Sequence, residues 1–114
     1  MSPSTGPSGR PGVLIILMTA PDAGEGERIA GMLLDEGLVA CVNIVPRVVS
    51  LYRWEGQVRR GEEVLVLMKT TAASVDQAIA RIEELHTYEV PEILVQDVVG
   101  GAAPYLNWVQ QECR

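Results

Sequence analysis

Residues 38–54, LVACVNIVPRVVSLYRW, decide the fold. The stretch is long, apolar and rich in β-branched side chains, which fit the pleated surface of a sheet. Pro46 sits inside it. Proline has no N–H to give to a ladder, so the stretch is an edge strand, or two strands joined at a bulge. Residues 55–61 (EGQVRRG) supply a polar turn, and residues 62–71 (EEVLVLMKTT) read as a returning strand. The two strands form a long hairpin.

On the N-terminal side, residues 13–19 (VLIILMT) are a continuous apolar run, suited to a central strand buried on both faces. Asp22 then N-caps a helix, with Glu25 three residues on in a capping-box-like arrangement. Ile29, Met32 and Leu33 recur at helical spacing, and Gly37 stops the helix. On the C-terminal side, Ser74 and Gln77 form a capping box for a second helix. Val75, Ile79, Ile82 and His86 share its apolar face. Pro91 ends it, residues 92–99 (EILVQDVV) are the last strand, and Pro104 opens a short final helix. Tyr105, Leu106, Trp108 and Val109 supply the apolar side of that helix.

The order is strand, helix, strand, strand, helix, strand, helix. Two crossover units joined by a hairpin give an α+β domain, a ferredoxin-like βαββαβ antiparallel sheet with a long central hairpin and a short C-terminal helix. Right-handed crossovers then predict strand order 4-1-3-2. The all-apolar first strand falls in the middle and the strand holding Pro46 at an edge, as each requires.

Such a domain packs both helices on one face of the sheet. Yet the second and third strands are apolar on both faces: Val42, Ile44, Val64, Val66 and Met68 on one, Val39, Val45, Leu65 and Leu67 on the other. A soluble monomer avoids exposing such a surface. Covering several hundred Å² of it is worth on the order of 10 kcal/mol before association costs. Self-association is the expected outcome.

The 114 residues fit one domain, with residues 1–12 (three Pro, three Gly, three Ser) a disordered tail and 13–114 the folded unit. There is no Phe, so Val, Leu and Ile carry the packing. The net charge of −6 and the lack of a basic cluster beyond Arg59-Arg60 argue against nucleic-acid binding. Acidity keeps a protein soluble and is compatible with attracting cations. No stretch reads as a signal peptide or a membrane span, so no membrane partner is expected and the expected location is cytoplasmic. Cys41 and Cys113 form no CxxC, which signals neither structural zinc nor a redox centre, and no disulfide is expected between them.

Several stretches together resemble the CutA family of divalent-cation tolerance proteins: LVACVNIVP at 38–46, SLYRWEGQV at 50–58, EEVLVLMKTT at 62–71, LHTYEVPEI at 85–93 and YLNW at 105–108. The resemblance covers essentially all of 13–112. It implies a ferredoxin-like fold, a compact homotrimer, a link to tolerance of copper and other divalent cations, and a likeness to trimeric PII-type signalling proteins. One position departs from the family pattern: Thr87 stands where the family usually has Pro after His86, which leaves that turn less rigid and gives it an N–H.

The candidate metal ligands are Cys41, His86 and Glu92. His86, the only histidine, lies at the end of the second helix, where the dipole favours its protonated form. It either ligates a metal or packs and caps. Cys41 is a soft ligand for copper or another divalent cation, or a small buried hydrophobe. Glu89 and Glu92 flank Pro91 and offer oxygens, or are solvated charges. Tyr52, Trp54, Lys69 and Tyr88 are candidates for a cleft or interface between subunits. Catalytic motifs are absent: there is no GxSxG, no phosphate-binding glycine loop and no HExxH, so no enzymatic activity is expected. Two functions remain. One is a homotrimer that binds metal ions for cation tolerance. The other is a PII-like module that binds a small molecule or partner in an inter-subunit cleft.

Overall fold

The computed structural model describes residues 11–114. The expected tail falls outside them except for Pro11 and Gly12. Both are tied to the domain, through the Gly12 carbonyl to the Ala72 N–H (2.9 Å) and the Pro11 carbonyl to the Gln110 amide (3.0 Å).

The elements run β1 (Val13–Ala20), α1 (Ala23–Asp35), β2 (Cys41–Trp54), β3 (Gln57–Thr71), α2 (Val75–Leu85), β4 (Ile93–Asp97) and α3 (Ala103–Glu112). The four strands form one antiparallel sheet in the order β2-β3-β1-β4. This is the expected ferredoxin-like order. β1 is central, and Pro46 lies on the edge strand where the β2–β3 register shifts between Val45 and Val48. Arg47 there has φ +59°, the left-handed turn of a bulge.

The hairpin differs from expectation. The polar run 55–61 is not a loop: only Glu55 and Gly56 turn the chain, with φ of 51° and 79°. Positive φ at both central residues is the two-residue turn whose twist matches a hairpin. Trp54 and Gln57 close it, and β3 starts five residues earlier than the polarity suggested. Polar residues were read as a turn when they are a strand exposed on both faces. At the other end, residues 38–40 are not strand; Leu38 and Val39 plug the core instead.

Helix ends follow local chemistry. The Asp22 carboxylate accepts from the Glu25 N–H at 2.8 Å, and Gly37 leaves α1 with φ +73°. The expected capping box at Ser74 does not form. Ser74 is buried with helical dihedrals, and its side chain caps nothing.

The core lies between the helices and one face of the sheet. Ile16, Met18, Val66 and Met68 from the strands meet Ile29, Leu33, Ala78 and Ile82, all with no exposed surface. On the opposite face, α3 sets Leu106 and Val109 over Val13. Tyr105 and Trp108, expected on the apolar side of α3, are instead 43% and 40% exposed, stacked on each other at 5.7 Å.

β1 pairs with β3 only from Val64 to Thr71. Beyond it, β2 and β3 continue alone as a two-stranded arm. All ten residues from 51 to 60 are exposed.

Candidate functional site

The segment after α2 is fixed against the body by its side chains. His86 is buried at the end of α2, with one ring nitrogen, Nε2, 2.7 Å from the Thr19 carbonyl. The other, Nδ1, accepts from the Tyr88 N–H at 3.0 Å. A backbone N–H can only donate, so Nε2 carries the proton and donates to Thr19. Both ring nitrogens are thus engaged inside the protomer.

Thr87 uses the freedom that its departure from the family pattern gives it. Its N–H and its hydroxyl both donate to Glu25 Oε2, at 3.1 and 2.6 Å. Burial pushes the Glu25 carboxyl up, but the hydrogen bonds from Thr87 and Arg28 outweigh this and hold it below its ordinary value. Tyr88 in turn donates its hydroxyl to Glu63 at 2.8 Å. Burial, and then that hydrogen bond, raise its pKa, so the phenol stays protonated. The sequence reading missed both clasps. Glu25 drew attention only as a capping residue, and its actual partner is 62 positions away.

Tyr88, Glu89 and Glu92 form one wall of an open cleft of about 790 Å³. The arm forms the other, with Tyr52, Trp54 and Arg59 among its residues. Tyr52, Trp54 and Tyr88, expected at a cleft or interface between subunits, line this one cleft of a single protomer. Lys69 does not line this cleft. It lies directly across from Cys41 in the β2–β3 register and donates to Asn43.

Cys41 and His86 are far apart within one protomer. His86 contacts Thr19, whose partner on β3 is Leu65, whereas Cys41 pairs with Lys69. Four residues of strand separate these levels, roughly 13 Å. Cys41 is half-buried beside Tyr105, whose pKa is raised first by burial and then by the neighbouring thiol. Cys113 is also half-buried, and burial raises its thiol. Among the described residues of one protomer, no three His, Cys, Asp or Glu side chains cluster closely enough to hold an ion.

Known proteins share this architecture. Residues 14–112 match the family described as CutA1 divalent ion tolerance protein. The divalent-cation tolerance protein CutA of Thermus thermophilus is 40% identical over 97 residues, which is 85% of this chain and 94% of that protein. The chloroplastic CutA 1 of Oryza sativa is 37% identical over 89% of this chain, which spans only 57% of the rice protein's length. The crystal structure of CutA from Xylella fastidiosa superposes with a TM-score of 0.88 at 39% identity, covering 90% of this chain and 99% of that one. The chain belongs to the CutA1 divalent ion tolerance family.

Proposed function

We propose that this protein works as a homotrimer in divalent-cation tolerance and binds cations, copper among them, where its subunits meet. The observation that carries this reading is the arm. Leu51 is 70% exposed and Val58 69%, on a ribbon of two strands whose residues 51 to 60 are all exposed among the described residues. Two-stranded hairpins are marginal in water, and apolar surface of this kind is covered in soluble proteins. A second copy is the cover that a homo-oligomer supplies.

Assembly also bears on the metal. Glu92 is exposed and Cys41 half-buried beside Tyr105, whereas His86 would first have to release Thr19 or the Tyr88 N–H. No single protomer gathers three ligands among its described residues, and in this reading the site draws residues from more than one copy. Analytical ultracentrifugation tests the assembly: monomer alone at micromolar concentration ends this reading. Copper titration of the wild type against Cys41→Ala, His86→Ala and Glu92→Gln tests the ligands. Unchanged affinity and stoichiometry in all three would remove them. No helix among the described residues is long and apolar enough to cross a membrane. The reading includes a cytoplasmic location, which cell fractionation checks.

The cleft favours a second reading, a PII-like module. Its aromatic residues Tyr52, Trp54 and Tyr88 surround a volume in the range of small-molecule sites. In that reading Lys69 reaches a shared pocket from a neighbouring copy. A trimer structure with Lys69 remote from every Tyr88 would count against it.

A further inference from the structure

Six charged residues line the cleft beside the arm, and only some of their charges are answered. Glu62 meets Arg60 at 3.6 Å, and Glu63 accepts the Tyr88 hydroxyl at 2.8 Å. Arg53, Arg59, Glu89 and Glu92 make no ion pair among the described residues.

The unanswered charges are sorted by wall. Tyr52 lies directly opposite Arg59 in the β2–β3 register, so the two share a face of the ribbon. Trp54, two residues beyond Tyr52, shares it too. Burial and Glu63 raise the Tyr88 pKa most, and Tyr52 adds to them, which sets the Tyr52 face towards Tyr88. Arg53 alternates to the other face of the arm, with Leu51 and Val58. One wall of the cleft thus carries a single cation, Arg59, beside two aromatic side chains. The other carries two anions, Glu89 and Glu92, beside Tyr88. These opposite charges face one cleft and do not reach one another.

We propose that the cleft binds a short peptide zwitterion with an aromatic side chain, its carboxylate on Arg59 and its ammonium against Glu89 and Glu92. This rests on the reading of the cleft as a small-molecule site and adds the chemistry of its ligand. Because the wall charges stand apart, the charges of the ligand must stand apart too, as they do at the two ends of a dipeptide. A guanidinium pairs with a carboxylate through two parallel hydrogen bonds. An ammonium gains from carboxylates and from ring faces, and the three aromatic side chains offer stacking for the body of the ligand. About 790 Å³ is ample for a dipeptide. Leu51 and Val58, on the arm's other face, stay available to a second copy.

The test is isothermal titration calorimetry at low salt with phenylalanylglycine, its N-acetyl form, its C-terminal amide and the doubly capped form. The wild type should bind the zwitterion about tenfold more tightly than either singly capped form. Arg59→Gln should erase the advantage over the amide and keep the advantage over the N-acetyl form. Glu89→Gln/Glu92→Gln should do the reverse, a crossed pattern that a general loosening of the fold does not produce. All three positions are exposed, so the far-UV circular dichroism of each variant should match the wild type. Equal affinity for the zwitterion and the doubly capped form, with Trp54→Ala weakening both, overturns the zwitterion and leaves the small-molecule reading of the cleft standing. No binding of any form at millimolar concentration also overturns the proposal, and the small-molecule reading then stands or falls on the position of Lys69 in the oligomer.

Discussion

The two ends of the β2–β3 hairpin are built from similar sequence and meet opposite fates. Near β1, Val64, Val66 and Met68 are almost wholly buried under α1 and α2. Along the arm, Val49, Leu51 and Val58 are between half and nearly three-quarters exposed. Strand propensity does not separate these groups, since both are β-branched and aliphatic. The separation comes from reach. β3 has 15 residues, roughly 50 Å of strand, while β1 has 8 and pairs with only part of it. What the chain covers becomes core, and what it leaves uncovered stays exposed.

The comparison breaks most sharply in the body. Met68→Ala should cost about 2–5 kcal/mol, because its neighbours on a packed sheet cannot close the cavity. Urea denaturation at fixed protein concentration reads this. The same technique sharpens the contrast on the arm. Leu51→Asp should leave the protomer folded and act on association instead, costing about 3 kcal/mol or more by burying an unpaired carboxylate at the interface. Sedimentation should show the shift, and circular dichroism should not.

A smaller effect lies where the segment after α2 is clasped to α1. Thr87→Val keeps the N–H bond to Glu25 and loses the hydroxyl bond, at a cost of about 1 kcal/mol. Glu25 also gives this clasp a pH dependence. Its folded pKa lies below the ordinary 4.5, so its contribution is present above about pH 4.5 and disappears as pH falls through the folded value. Acid titration of stability should show a smaller loss below pH 4.5 in Glu25→Gln than in the wild type. The smallest effect is a gain. A Cβ on Gly31 meets nothing within 4 Å, so Gly31→Ala should raise thermal stability, by up to about 1 kcal/mol.

Local features of the site could be read from sequence because their causes are local. Asp22 caps α1 because a short carboxylate reaches the N–H three residues on, and Gly37 ends α1 because its φ suits glycine. Tyr52, Trp54 and Tyr88, picked out for a cleft or interface between subunits, line one cleft within the protomer. The partners of Glu25 and His86 were not legible. Thr87 is 62 residues from the first, and Thr19 is 67 from the second. Polarity misled at residues 57–61, where a strand exposed on both faces has the composition of a loop.

The sequence by itself determined the order of elements, the edge position of the Pro46 strand and the central position of the all-apolar one. Each follows from hydrogen-bonding capacity or from the number of buried faces, which are properties of the residues in place. Only the tertiary structure decided which apolar strand residues are core. Burial depends on what lies opposite, and β1 stops short of the arm. It also decided that His86 spends both ring nitrogens inside the protomer, roughly 13 Å along the strands from the level of Cys41.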